Sequence, residues 1–348
     1  MPGTDAKLRF LRDAASHPGC VGEVGCTETH MSWLFFAGAH VLKLKKPVRY
    51  PFLDFSTLAA RGFYCREELR LNSRLAPGVY LGLLALQYAD GRFALVPEAQ
   101  LPAHGQTVDW LVWMRRLPEA RMLDRLIAER AVSSADVSAL AAMLSAFYRR
   151  VEAVDVAAPE YLARFQRELA ADREVLLRPQ FQLHEASPAL LRMDAALSRH
   201  AGLLHQRAEA GRIVDGHGDL RPEHVCMLQP PTIIDCLEFN ARLRQVDPFD
   251  ELAFLGLECE MAGAAWIGPQ LIAACAAALG DAPTPALTQL YTAHRALLRA
   301  RLAMAHLLDP QPRTPAKWAP LAQAYVERAL AALDALDALT SPMSHDSP

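Results

Sequence analysis

Residues 212–240 constrain this chain more than any other stretch. From about residue 119 the sequence is rich in Ala, Leu and Arg at helical spacing, over 122–130, 134–153, 159–176 and 187–209, and again from about 250 to 338. Into that background is set a short β-forming island. Val225-Cys-Met-Leu228 and Thr232-Ile-Ile-Asp235 read as two strands joined by a Gln229-Pro-Pro231 turn. Asp219 lies just before this hairpin and Asp235 at its far end. A twisted hairpin can bring both carboxylates to one edge.

The first third has a different texture. Met31–Phe36 and Val41–Leu44 read as strands around a short turn, Val79–Leu86 and Phe93–Pro97 as a pair joined at Ala89-Asp90-Gly91, and Val108–Leu117 as a further strand. Between them, residues 56–75 read as a helix. Ser56 is its expected cap, with Phe63, Leu69, Leu71 and Leu75 as its apolar face. The expected architecture is therefore α+β, with a small sheet-rich lobe over 1–117, a large mainly helical lobe over 118–340 that carries the hairpin, and a disordered tail over 341–348.

Composition narrows the function classes. The chain has 348 residues, enough for two packed lobes, and a net charge of 36 − 39 = −3, so nothing marks it as a nucleic-acid binder. The first ten residues contain Asp5, Lys7 and Arg9 and no apolar signal core, and the uncharged run Met261–Leu279, interrupted by Pro269 and Gln270, reads as a core helix and not a membrane span. Seven cysteines occur without a Cys-x-x-Cys pair, which points away from a zinc ribbon and toward a reducing cytoplasm.

Two aspartates framing a hairpin suit phosphoryl transfer. One carboxylate orients the attacking hydroxyl and takes its proton; the other holds the Mg²⁺ that bridges the nucleotide phosphates. The stretch His217-Gly-Asp-Leu-Arg-Pro-Glu-His224, followed by Ile234-Asp235, resembles the H-G-D-L-H-P-x-N … I-D pattern of aminoglycoside and choline kinase-like phosphotransferases. Val246-Asp-Pro-Phe-Asp-Glu-Leu-Ala253 is similar to their D-P-x-x-D-L-A segment. Glu28-Thr-His-Met-Ser-Trp33, Leu42-Lys-Leu-Lys-Lys-Pro-Val48 and Leu53-Asp-Phe-Ser-Thr-Leu58 resemble one bacterial branch of that group. Some members of the branch carry a P-loop kinase domain as well, and this chain contains no G-x-x-x-x-G-K-[ST].

The resemblance implies a protein-kinase-like fold, ATP and a divalent ion as cofactors, and a small-molecule hydroxyl as acceptor. It implies Asp219 as the catalytic aspartate and Asp235 as a metal ligand. Lys43 would hold the nucleotide phosphates, with Lys45 on the same strand face as the alternative, and Glu68 rather than Glu67 would fix that lysine. No G-x-G-x-x-G is present, so residues 28–32 would cover the phosphates, with Thr29, His30 and Ser32 as donors, and Met114–Leu117 would lie near the adenine. His217 is expected to brace the loop backbone. Asp247 and Asp250 are expected to cap a helix and brace the same region. Glu258 and Glu260 are candidates for a cationic acceptor.

One departure stands out. The pattern expects Asn five residues after the catalytic aspartate, as a second metal ligand, and this chain has His224. Imidazole is a poor ligand for Mg²⁺ and a better one for a softer ion such as Mn²⁺. The alternative reading is a pseudokinase that binds nucleotide or a partner without turnover. A third is nucleotidyl transfer to a protein.

Overall fold

The computed structural model describes residues 2–17, 19–50 and 53–340; the tail expected to be disordered lies outside the described residues. By its internal contacts the chain divides into two compact units. Among the described residues, the first comprises those up to 129 with 217–219 and 223–244, and the second 130–216, 220–222 and those from 245 to 340. The hairpin placed in the helical lobe on sequence grounds thus groups with the sheet, and the division does not fall at 117/118.

The first unit begins with helix α1 (Thr4–Arg12) and strands β1 (Gly25–Glu28), β2 (Ser32–Ala37) and β3 (His40–Lys45). Helix α2 (Leu58–Asn72) follows, then β4 (Tyr80–Ala89), β5 (Arg92–Pro97), β6 (Gln106–Arg115) and the short helix α3 (Leu123–Ala128). The six strands form one antiparallel sheet in the order β1-β2-β3-β6-β4-β5. Strand alternation sorts its side chains. Trp33, Phe35, Leu42 and Leu44 pack with Leu11 of α1 on one face, while Val41 packs with Cys65 of α2 on the other. Lys43 and Lys45 share the Val41 face by the same alternation, and so face α2.

Helix α2 is pinned to that face. Thr57, not Ser56, caps it, accepting from the Ala60 amide at 3.1 Å, while the Ser56 hydroxyl bonds Asp54. Phe63, expected in the apolar face, is 56% exposed. Buried Arg61 reaches Asp109 on β6 through two bonds of 2.7 and 3.2 Å. At Gly62 a Cβ would lie 2.7 Å from Trp110 Nε1, so any side chain there would displace the indole that packs between α2 and the sheet. Lys7 of α1 also bonds Asp109, at 2.8 Å.

The hairpin strands are shorter than the sequence pattern predicts. They are β7 (Val225–Cys226) and β8 (Thr232–Ile233), paired Val225↔Ile233 and Cys226↔Thr232. Main-chain bonds join the hairpin to the rest of the unit, from Met227 N–H to Arg121 O at 2.7 Å and from Ile233 N–H to Leu75 O at 3.2 Å. Neither α1 nor β1 was expected from the sequence. An edge strand with a mostly exposed pattern carries no apolar alternation to reveal it.

The second unit is helical: α4 (Ser134–Arg150), α5 (Ala158–Leu176), α6 (Ala186–Arg199), α7 (Ala201–Glu209), α8 (Pro248–Met261), α9 (Ile267–Leu279), α10 (Pro285–Ala305) and α11 (Pro315–Thr340). The helix expected over 187–209 breaks at His200 into α6 and α7. A capping box of Ser133 and Asp136 opens α4, and Thr284 caps α10 ahead of Pro285. Asp247 caps α8, accepting from Phe249 N–H at 2.9 Å, and also binds Arg207 and Tyr291. Asp250 pairs with Arg295 through bonds of 2.7 and 2.6 Å. Glu258 bonds Tyr325 and Arg299, and Glu260 bonds Arg328, so both are held in ion pairs within this unit. Among the described residues no helix is long and apolar enough to cross a membrane.

Candidate active site

The candidate site lies within the first unit, where β3, α2 and the segments around the hairpin bring charge together. Lys43 Nζ sits 2.8 Å from Glu68 Oε1 and 2.7 Å from Asp235 Oδ1. Lys45 Nζ sits 2.5 Å from the other oxygen of Glu68, is also paired with Glu238, and lies 4.9 Å above the Phe55 ring. One carboxylate therefore holds two lysines that alternate onto the same strand face. Glu67, one residue away on α2, turns outward to Arg70.

These groups set one another's ionisation. Burial opposes the charge on Lys43, but Asp235 and then Glu68 outweigh it and raise its pKa well above the usual lysine value. Burial opposes ionisation of Asp235 too, and the charge on Lys43 above all reverses that, holding the carboxyl below the ordinary range. Glu68 is lowered in the same way, since Lys43 and Lys45 outweigh its burial. Glu238 goes the other way. Its burial is not fully offset by Lys45, so its pKa is raised.

The loop carrying Asp219 is laced to the strand carrying Asp235. Gly218 has φ +88°, and a Cβ there would stand 3.0 Å from Leu243 O, so the turn requires glycine. His217 is buried and donates from Nε2 to Ile234 O at 2.9 Å, while its Nδ1 accepts from the Asp219 amide at 3.2 Å. These two bonds fix a neutral ring. Burial above all brings its pKa down to about 4. Leu237 N–H donates to His217 O at 3.1 Å and Ile234 N–H to His224 O at 2.9 Å. Asp235 itself has φ +63°, a left-handed conformation that aspartate tolerates, and its amide donates to the Tyr80 hydroxyl at 3.2 Å. Asn72 of α2 accepts from the next amide, Cys236 N–H, at 2.9 Å.

His224 stands between the two aspartates. Its Nδ1 lies 2.8 Å from Asp219 O and 3.8 Å from Asp219 Oδ2, and its Nε2 lies 3.6 Å from Asp235 Oδ2. A carbonyl cannot donate, so Nδ1 carries the hydrogen.

Two of the proposed phosphate donors meet a different arrangement. Residues 29–32 form the tip of the β1–β2 hairpin. The Thr29 amide and hydroxyl both donate to Ser32 O, at 2.8 and 3.1 Å, and the Ser32 amide donates to Thr29 Oγ1 at 3.0 Å. In this conformation those groups close the turn instead of facing outward. His30 is exposed at the tip. In the segment expected near adenine, the amides of Arg115 and Arg116 bond Val79 O and Ala39 O.

Against known structures, the choline kinase of Cryptosporidium parvum matches with a TM-score of 0.55 at 11% identity, covering 96% of this chain and 97% of that one. The aminoglycoside phosphotransferase APH(3'')-Id of Streptomyces rimosus, in its complex with ADP and streptomycin, matches with a TM-score of 0.50 at 18% identity, over 86% of this chain and 99% of that one. The chain has the aminoglycoside phosphotransferase-like, protein-kinase-like fold. In sequence it is 30% identical over 304 residues to uncharacterised proteins of Mycobacterium tuberculosis and Mycobacterium bovis, covering 83% of this chain. It spans about half the length of those relatives, 56%. No protein-family model matches it.

Within this kinase-like fold, the structure brings Lys43, Glu68, Asp219, His224 and Asp235 into one neighbourhood and leaves Thr29 and Ser32 engaged at a hairpin tip. Lys45 joins the cluster through Glu68. Glu238 is the residue that sequence reasoning missed. Two signals pointed to it: a lone acid in the apolar Cys236–Phe239 run just after Asp235, and a second lysine on β3 in want of a carboxylate. Among the described residues no group of three or more His, Cys, Asp or Glu side chains forms a self-sufficient metal cage. A divalent ion here would need further ligands from nucleotide phosphates and water, as Mg²⁺ in nucleotide sites commonly does.

Proposed function

We propose that this protein is an ATP-dependent phosphotransferase that moves the γ-phosphate to a hydroxyl of a small molecule, acting in the cytoplasm. The observation that carries this reading is Lys43 held between Glu68 and Asp235, with Asp219 tied to the same strand through His217. Lys43 would bind nucleotide phosphates from a position fixed by Glu68. Asp219 would orient the acceptor hydroxyl and take its proton. Asp235 and His224 would hold a divalent ion, Mg²⁺ or Mn²⁺, which when bound neutralises charge on the phosphates. The acceptor classes to try first are aminoglycosides and amino alcohols, given what the similar folds bind or are named for. Glu258 and Glu260 are not assigned to acceptor binding, because arginines already occupy them.

A second reading, a nucleotide-binding module without turnover, draws on His224 at the position where the pattern has Asn. Calorimetry with ATP plus Mg²⁺ or Mn²⁺, on the wild type and Asp235→Ala, separates the possibilities. Metal-dependent binding lost in Asp235→Ala, together with phosphate transfer lost in Asp219→Asn, supports the enzyme. Metal-independent binding unaffected by Asp235→Ala favours the module. No nucleotide binding at all removes the phosphotransferase reading.

A further inference from the structure

We propose that His224 is a nitrogen ligand to the nucleotide-associated ion, and that it shifts this site's preference from Mg²⁺ to Mn²⁺. The inference rests on the nucleotide-site reading above and adds the identity of the metal.

The ring orientation is the starting point. The Nδ1 hydrogen is committed to Asp219 O at 2.8 Å, which in the neutral ring puts the lone pair on Nε2. That atom is the one turned toward Asp235, 3.6 Å from Oδ2. Two donors each about 2.1 Å from one ion lie at most about 4.2 Å apart, so the observed separation is within the span a single ion can bridge. The ring is also held in place. His224 is only 6% exposed, and its carbonyl is bonded by the Ile234 amide at 2.9 Å, one residue before Asp235.

The comparison with asparagine explains why such a change is tolerable. A carboxamide has one end that donates and one that accepts. So does a neutral imidazole, with its donor toward the Asp219 carbonyl and its acceptor toward the ion. His224 braces the Asp219 backbone and offers the ion a borderline nitrogen where asparagine would offer a hard oxygen. Mg²⁺ binds oxygen almost exclusively and gains little from imidazole, whereas first-row ions accept it. Mn²⁺ retains enough affinity for oxygen to keep Asp235 and the phosphates as its other ligands.

Pulsed electron paramagnetic resonance on the Mn²⁺–ADP complex of the intact protein tests this without relying on turnover. The expected result is a ¹⁴N modulation that changes to ¹⁵N frequencies when the protein alone is ¹⁵N-labelled, which separates imidazole from adenine nitrogen. The labelling experiment needs no variant. His224→Asn is expected to abolish the protein nitrogen signal and to reduce the ratio of Mn²⁺ to Mg²⁺ affinity, measured calorimetrically with ADP, by about tenfold. Bound Mn²⁺–ADP without a protein nitrogen signal, or an unchanged affinity ratio in His224→Asn, overturns this inference and leaves the nucleotide site standing. Absence of any metal-dependent ADP binding overturns both.

Discussion

Each unit of this protein buries a knot of opposite charges, and the two knots are built in different ways. In the helical unit, Arg207 presents its planar fork to two carboxylates, Asp247 at 2.5 and 3.1 Å and Asp281 at 2.8 Å twice. Tyr291 and the Phe249 amide occupy further acceptor sites on Asp247. In the sheet unit, two lysines face three carboxylates, Glu68, Asp235 and Glu238, and the Asp235 side chain is 46% exposed. Guanidinium forks fix geometry, while ammonium groups are point charges that can exchange partners. The first arrangement suits a brace. The second leaves an accessible carboxylate, Asp235, among partners that can exchange, which suits a site that receives a cation.

The largest effect expected from this contrast is on stability, at the brace. Asp247→Ala leaves the Arg207 guanidinium with half its partners and removes the cap of α8. Urea denaturation should show a loss of about 3–5 kcal/mol. A loss under 1 kcal/mol would mean that the helical knot is not the structural one.

Next come the two lysines. Lys45 is 1% exposed and serves two buried carboxylates, so Lys45→Met should cost about 3 kcal/mol by the same denaturation measurement. Lys43→Met should change stability less and weaken nucleotide binding more. If the two variants behave alike in both measurements, the division of labour between them is wrong.

The helical unit also carries a titration. Burial, then Arg295 and Arg301, lowers the His294 pKa to about 3. Between that value and the ordinary 6.5 the unfolded chain binds the proton and the folded one does not, so stability is full above pH 6.5 and falls on acidification. At pH 4.5 the loss from this group is about 2.5 kcal/mol. His294→Gln should lack that part of the slope when denaturation midpoints are compared between pH 7 and pH 4.5; an identical slope would remove the assignment.

The smallest stability effect should be at Asp235. Asparagine fits the left-handed backbone, solvent screens the half-exposed Asp235 carboxylate, and Lys43 keeps Glu68 as a partner, so Asp235→Asn should unfold within about 1 kcal/mol of the wild type while losing metal-dependent nucleotide binding. A large destabilisation would make Asp235 part of a brace after all.

How far the site could be read from the sequence depended on the range of each interaction. Alternation along β3 placed Lys43 and Lys45 on one face, and helical spacing on α2 favoured Glu68 over Glu67; both are local periodicities. The pairing of Lys45 with Glu238 spans 193 residues and obeys no period, so the lone acid in the Cys236–Phe239 run was visible but its partner was not. Thr29 and Ser32 looked like outward donors because their type was visible and their hydrogen bonds were not. Strand β1 escaped because an exposed edge needs no apolar pattern, and the cap of α2 slipped by one residue because Ser56 and Thr57 are chemically interchangeable there.

The tight seat of α2 on the sheet has a consequence for the timing of ligand capture. With Gly62 against Trp110 and Arg61 locked to Asp109, the helix has no room to roll, and Glu68 waits at its post before any nucleotide arrives. Association should then be a single encounter with a preset anion acceptor, first order in nucleotide and without a slow isomerisation that saturates at high concentration. Variants that loosen the seat, such as Gly62→Ala, should introduce that slow phase, so the glycine acts as a clock setting on a residue six positions away.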